Sequence, residues 1–264
     1  MKRSTKRRLT HGALYVVLAL LVLWAWIAVD WPAVANSFLR VDVIREVWWD
    51  FLVIGAVNTI KYTAIAFAGG LVLGVLLALM KMSPVGIYRW LATSFIEFFR
   101  GLPALIVMLA FAFGVPIATG WLPPGGTVGA GLLGLTLVAG AYMAETLRAG
   151  IQAVPKGQAE AARSLGMNPF WTMSTVILPQ AFRIVIPPLT NEFVLLIKDT
   201  ALLFVIGLMV SQRELTTMAQ AGMSSGPGAG TATTLTLAAF FYLAITLPLT
   251  RVVAWLEARQ ARSR

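Results

Sequence analysis

The sequence predicts an all-α, polytopic membrane protein with about six transmembrane helices. Three observations predict it. Of the 264 residues 58% are hydrophobic and only 12% charged, about half the charged share of an average soluble domain. Uncharged apolar stretches long enough to cross ~30 Å of hydrocarbon recur along the chain. The basic residues, which give a net charge of +10, are distributed unevenly between the segments that separate those stretches. The length fits one helical domain.

In chain order the spans are Gly12–Val29, Phe51–Met80, Ile87–Pro116, Val128–Ala144, Ile184–Val210 and Thr231–Leu249. Phe51–Met80 is interrupted only by Lys61; Glu97 and Arg100 lower the hydropathy of the third span, and Asn191, Glu192, Lys198 and Asp199 that of the fifth. With the N-terminus in the cytoplasm, 15 of the 21 Lys and Arg residues fall in cytoplasmic segments, among them Lys2, Lys81, Arg148, Arg163, Arg183, Arg262 and Arg264. The external segments hold Arg40, Arg45 and Arg213, and the spans hold Lys61, Arg100 and Lys198. Such a bias places both ends inside. The basic start and first apolar run also fit a signal peptide with a small-x-small site at Ala33-Val34-Ala35, but 18 uncharged residues are long for a signal core, so the span is expected to stay.

There is no cysteine, and the single histidine, His11, lies in the basic N-terminal stretch. Disulfides and Cys-ligated metals are excluded; a histidine-based triad or zinc site is disfavoured. No metal site and no catalytic constellation is expected. In a soluble domain +10 would suggest nucleic acid; here the positive-inside rule accounts for it, and no nucleic-acid partner is expected. Trp24, Trp26, Trp31, Trp48, Trp49 and Trp121 fit interfacial belts, Gly70 and Gly74 fit close helix crossing, and "GMSSGPGAG" (Gly222–Gly230) reads as a flexible external loop.

One cytoplasmic stretch, "GQAEAARSLGMNPFWTMSTVILPQA" (Gly157–Ala181), cannot cross a bilayer. Pro155 suits a helix entry, Gln158–Leu165 an amphipathic helix, Gly166 its end, and Asn168-Pro169 a turn into a second helix. Glu160 and Arg163 are spaced to pair, and Ala161 and Ala162 leave one side bare. Composition alone leaves a solvated connector and a docking element both open.

The spacing Glu160-Ala161-Ala162, Gly166, Val176, Leu178-Pro179 resembles the EAA loop of bacterial ABC importer permeases, with Val176 where the pattern has Ile. "EFFRGLPALI" (Glu97–Ile106), "AYMAETLRAGIQAVPKGQAEAARSLGM" (Ala141–Met167) and "PPLTNEFVLLIKDTALLFVIG" (Pro187–Gly207) are similar to the polar amino acid branch, which serves histidine, glutamate, glutamine and arginine. The match covers roughly residues 51–255; after "VIG" it is delayed by "LMVSQREL" and resumes at Glu214-Leu215.

The resemblance implies a type I importer permease. Residues 51–255 form the five-helix core, 1–50 add a basic N-terminus, an extra span and an external connector, and 256–264 form a cytoplasmic tail. The loop at 155–181 becomes a coupling helix, with Glu160, Ala161, Ala162, Gly166, Leu178 and Pro179 engaging a dimer of ATPase subunits that binds ATP-Mg. The chain itself has no phosphate-binding glycine loop, binds no cofactor and is not an enzyme. Its implied partners are a second copy or a paralogous permease, an extracytoplasmic binding protein, a polar amino acid and membrane lipid, in a bacterial cytoplasmic membrane. ATP closing the ATPase pair draws the coupling helices together and opens the cavity outward. An ion-coupled secondary transporter or channel-like protein, using Glu97, Glu192 and Asp199, is the alternative.

Ionisable residues inside spans are functional candidates by default. At ~1.5 Å per residue, Glu97 lies ~15 Å and Arg100 ~20 Å from the cytoplasmic boundary, Glu192 ~12 Å and Lys198 ~21 Å, with Lys61 ~15 Å from the outer one. These depths converge near the midplane, where transporters bind substrate. Glu97, Arg100, Asn191, Glu192, Lys198 and Asp199 are therefore the substrate candidates, with Asn191/Lys198 on one face and Glu192/Asp199 on another. Structural pairing, Glu97 with Arg100 and Lys198 with Glu192, is the competing reading. Glu145 and Arg148 read as a loop-bracing salt bridge.

Overall fold

The computed structural model describes residues 3–261; Lys2, Arg262 and Arg264, assigned above to the cytoplasmic ends, lie outside the described residues. Every regular element is helical. Four helices are long and apolar enough to cross a membrane, or five if one bent pair counts as a span. They are α1 (Arg3–Ala28), the run from α2 (Trp31–Phe38) through α3 (Val41–Asp50) and a π-helical turn (Phe51–Ala56) into α4 (Val57–Met82), then α8 (Gly126–Gln152) and α13 (Thr233–Ala261). The bent pair is α5 (Gly86–Gly101) with the segment Ala104–Thr119, which comprises α6 (Ala104–Leu109), a π turn and α7 (Val115–Thr119).

The third span is therefore not one helix, as the sequence predicts, but two arms bent by 104°. Pro103 has no N–H to donate and pushes the residue before it out of the helical region. Leu102 is accordingly extended, with φ −103° and ψ 142°, and α6 restarts with the Pro103 carbonyl accepting from the N–H of Ile106 at 2.9 Å. The fifth span also differs. Its helix, α11, runs Leu178–Asp199 with Pro187 and Pro188 inside it, then tightens into a 3-10 helix over Thr200–Ile206 and stops at Gly207 in the left-handed region. Val210 lies beyond that stop. Its polar residues keep α11 below the hydropathy of a clear span.

The connection between α11 and α13, predicted to be external, is ordered rather than flexible. Glu214, fully buried, caps α12 (Leu215–Ser224) by accepting from the N–H groups of Thr216 and Thr217 at 2.7 and 2.6 Å and from the Tyr242 hydroxyl at 3.0 Å. The loop predicted over Gly222–Gly230 is helical to Ser224 and is pinned where Gly230 donates to the Met223 carbonyl and Ala232 to that of Ser37. At the other end α13 continues to Ala261, so the start of the predicted tail at 256 is helix.

Helix α8 organises the core. Two thirds of its spanning window is buried, against none of that of α1. Small residues let α4 approach it closely. A Cβ added at Gly74 would lie 2.9 Å from the Met143 Cβ and 3.1 Å from the Ala144 nitrogen, and one at Gly70 would lie 3.0 Å from the Ala139 Cβ. The small-xxx-small pair thus packs on α8, and the contacts advance along both chains together, so α4 and α8 run parallel. This seam corrects the depth of Lys61. Lys81 ends α4 and Lys61 is 20 positions earlier, ~30 Å away, the thickness of the hydrocarbon. With Lys81 set at one hydrocarbon boundary, Lys61 falls at the other, because the helix continues beyond it through α3 instead of starting at Phe51. Gly70, midway between the two lysines, places Ala139 and Gly140 near the midplane.

Gly74→Val should push α4 off the α8 backbone, overpacking at a cost of about 1–3 kcal/mol. Gly86→Ala, with nothing within 4 Å of the added carbon, should be neutral. Thermal unfolding of the two variants in detergent checks this; equal midpoints would contradict the seam.

Candidate functional site

Two candidate sites follow from this frame. The first is a cavity of about 360 Å³ where the broken span meets α8 and α11. Leu102, Pro103 and Ala104 form one wall, and Tyr142, Glu192 and Asp199 supply its polar groups. Tyr142 lies one turn past the midplane residue Ala139. Two of the irregular stretches of backbone meet at this cavity: the α5–α6 break contributes its wall, and Asp199 is the last residue before the 3-10 turn.

The six substrate candidates separate here. Glu192 and Asp199 line the cavity, half-buried, while Asn191 and Lys198 are exposed on the other face, the division that their seven-residue spacings predict. Arg100 is exposed and does not itself line the cavity; its guanidinium lies 5.2 Å over the ring of Tyr142, which does, in a cation–π arrangement. Glu97 is exposed and does not line the cavity. Neither Glu97–Arg100 nor Glu192–Lys198 forms a salt bridge among the described residues. Structural pairing is therefore not what holds these charges. The two carboxylates in the cavity can accept an ammonium, and the guanidinium stacked on the lining residue Tyr142 can offer a cation to a carboxylate. Tyr142 escaped the sequence reading because that search followed charge; its only signal was a phenol within an otherwise apolar helix. No group of acidic or histidine side chains suited to a metal occurs among the described residues.

The second site is the loop between α8 and α11, which the sequence predicts to be cytoplasmic. Helix α9 spans Lys156–Ser164, slightly earlier than predicted, and Gly166 ends it at φ +83°, a conformation that favours glycine. The Asn168 side chain accepts from the Trp171 N–H at 2.9 Å and so caps the short α10 (Pro169–Trp171), which a π turn, Thr172–Ile177, joins to α11. Pro179 has no N–H to donate and lies where the π turn passes into α11, an irregularity of the helical ladder that fits its missing donor.

The two alanines do not act together. Ala161 is exposed, but Ala162 is 4% exposed and faces its own chain, where α9 packs on the π turn near Val154, Ile177 and Ala181. Leu178, half-buried, lines an apolar cavity between α11, α4 and α8. Glu160 and Arg163 are both exposed and form no salt bridge. The outward apolar surface is instead made by Leu165, 83% exposed, with Phe170 and Trp171, whose rings meet edge to face at 5.7 Å. Sequence reasoning passed over these three because apolar residues in an amphipathic loop are first assigned to the inside.

A polar clamp joins α4 and α8 just before the loop. Glu145 bridges Lys81 at the end of α4 and Arg148 on its own helix, the latter at 2.7 Å, and Arg148 also donates to the Gln152 side chain at 2.5 Å. The expected Glu145–Arg148 pair is present, and Lys81 extends it across the α4–α8 seam.

Comparison with known proteins agrees with this arrangement. The chain is 40% identical over 209 residues to the probable glutamine ABC transporter permease protein GlnM of Bacillus subtilis (strain 168), covering 79% of this chain and 93% of that one. It is 33% identical over 238 residues to the glutamate/aspartate import permease protein GltK of Escherichia coli O157:H7, covering 88% and 98%. A crystal structure of an amino acid ABC transporter with histidines superposes with a TM-score of 0.72 at 35% identity, over 84% of this chain and all of that one. An inward-facing MetNI methionine ABC transporter, at 22% identity and a TM-score of 0.60, shares the fold. Residues 70–262 match the family described as binding-protein-dependent transport system inner membrane component, and the chain belongs to that family.

Proposed function

We propose that this chain is the permease subunit of an ATP-binding cassette importer for polar amino acids. The observation that carries the proposal is the cytoplasmic two-helix loop. Its inner face is sealed against its own chain, and its outer face presents Leu165, Phe170 and Trp171 to a partner. A mere connector has no reason to expose three large apolar side chains on an ordered, capped turn. The partner is a dimer of ATPase subunits carrying ATP-Mg, and the permease pairs with a second copy or a paralogue beneath an extracytoplasmic binding protein. Both termini lie in the cytoplasm of a bacterial cell. The substrate class rests on the cavity, where Glu192 and Asp199 suit an ammonium, on Arg100 over the lining ring of Tyr142, which suits a carboxylate, and on the glutamine and glutamate/aspartate permeases among the relatives. The ion-coupled alternative is not favoured, because it gives the loop no task.

Motion of the loop reaches the cavity by a short route. Helix α11 leaves the loop at Leu178 and carries Glu192 and Asp199 at its far end. The Lys81–Glu145–Arg148 clamp ties the cytoplasmic end of α8 to α4, so a push on the loop tilts α11 against a fixed pair.

Three measurements test this reading. Phe170→Asp with Trp171→Asp should abolish co-purification of the ATPase while leaving the permease folded; full retention would reduce the loop to a connector. Glu192→Gln and Asp199→Asn should each lower uptake at least about tenfold, the loss expected when one charge-assisted contact of about 1.5–3 kcal/mol is removed, with the ATPase still attached. Normal uptake in both would remove the cavity assignment. In this cysteine-free chain, Ser224→Cys should react with an impermeant thiol reagent outside intact cells and Ser164→Cys should not; the reverse would invert the topology.

A further inference from the structure

A bigger cavity, of about 560 Å³, lies away from the substrate cavity, on the outer half of the α4–α8 seam. Its size falls within the range of about 300–1,000 Å³ usual for ligand sites. One charged residue lines it, Lys61, and no acidic side chain does. Lys61 is exposed and makes no ion pair or hydrogen bond among the described residues. Its position on α4 sets it at the outer boundary of the hydrocarbon, the level of lipid headgroups.

The walls are built, not merely open surface. Asn58 donates to the carbonyls of Ser211 and Arg213 at 2.9 and 3.0 Å, and the Tyr62 hydroxyl donates to that of Gln212 at 2.8 Å, holding the external loop against α4. On the opposite side the Pro124 carbonyl tucks against α8, so closely that a Cβ at Gly129 would lie 2.0 Å from its oxygen. The lining changes character with depth. Asn58, Lys61, Ser211 and Gln212 lie at the outer rim, while Ile65, Leu132 and Leu133 lie one turn further into the bilayer.

We infer that this cavity binds one anionic phospholipid of the outer leaflet, with the headgroup phosphate on Lys61 and an acyl chain along Ile65 and Leu133. A lone lysine on a smooth helix would only reach into the headgroups at large. Here two loops confine the space around it, and a polar rim above an apolar floor matches the amphipathic shape of a lipid. A free small anion would leave that floor empty. The assignment does not depend on which substrate the protein carries.

Native mass spectrometry of the assembled transporter in mild detergent, with added phosphatidylglycerol or phosphatidylcholine, tests it. The native protein should retain phosphatidylglycerol about five-fold more tightly, the share expected of one lysine near a membrane surface. Lys61→Gln should erase that preference and Lys61→Arg should keep it. Leu133→Trp, which fills the apolar floor and leaves Lys61 in place, should weaken both lipids alike. Three results would overturn the inference: undiminished phosphatidylglycerol preference in Lys61→Gln, equal competition by glycerol 3-phosphate, which would mean a free-anion site, or crosslinking of two copies through Ile65→Cys, which would mean that a second permease covers the cavity.

Discussion

Backbone released from a helix inside a bilayer has no water to bond to, so it must be buried in protein or line a polar cavity. The rest of this fold follows from where the chain accepts that constraint. It leaves its helical ladder at Leu102-Pro103, and it alters the ladder at Asp199-Thr200, where α helix gives way to 3-10. The Thr200 hydroxyl answers the second change by donating to the Ile197 carbonyl at 2.7 Å. Both places border the same cavity, opposite the uninterrupted helix α8. A continuous helix beside two broken ones gives a rigid wall and two movable ones, a natural arrangement for a passage that must open in alternation.

The α4–α8 seam supplies the rigidity. Glycines bring the two helices close enough for backbone to meet backbone, and the Lys81–Glu145–Arg148 cluster closes the cytoplasmic end of the seam with charge. The cytoplasmic loop hangs below, joined to α8 through Pro155 and to α11 through Pro179. Its inward residues, Ala162 and Ile177, fix its angle; its outward residues, Leu165, Phe170 and Trp171, are free to receive a partner. Support and contact are therefore assigned to different side chains of one short motif, and a substitution at Ala162 acts on the angle rather than on the contact.

Much of this was legible in the sequence. Apolar length marked the four long spanning helices, and Gly166 and Asn168-Pro169 marked the turn at the right residues, because each rests on local chemistry. The seven-residue spacing separated Glu192 and Asp199 from Asn191 and Lys198 correctly for the same reason. What escaped depends on tertiary contact or on averaging. Pro103 was visible, yet the hydropathy of its surroundings merged two arms into one span. The 3-10 turn after Asp199 has no glycine or proline to announce it until Gly207. The division of Ala161 from Ala162 requires knowing that the π turn lies beneath α9, and Tyr142 becomes a site residue only when α8 meets the break.

The central claim is that substrate passes between the α5–α6 break and the carboxylates of α11. Substrate protection of a cysteine at that break tests it most directly. With Ala104→Cys in the assembled transporter, saturating transported amino acid should slow alkylation at position 104 by at least about tenfold, the occupancy effect expected at ten times Kd, and should leave a cysteine at position 164 unaffected. An unchanged rate at position 104 under conditions that support transport would contradict the account.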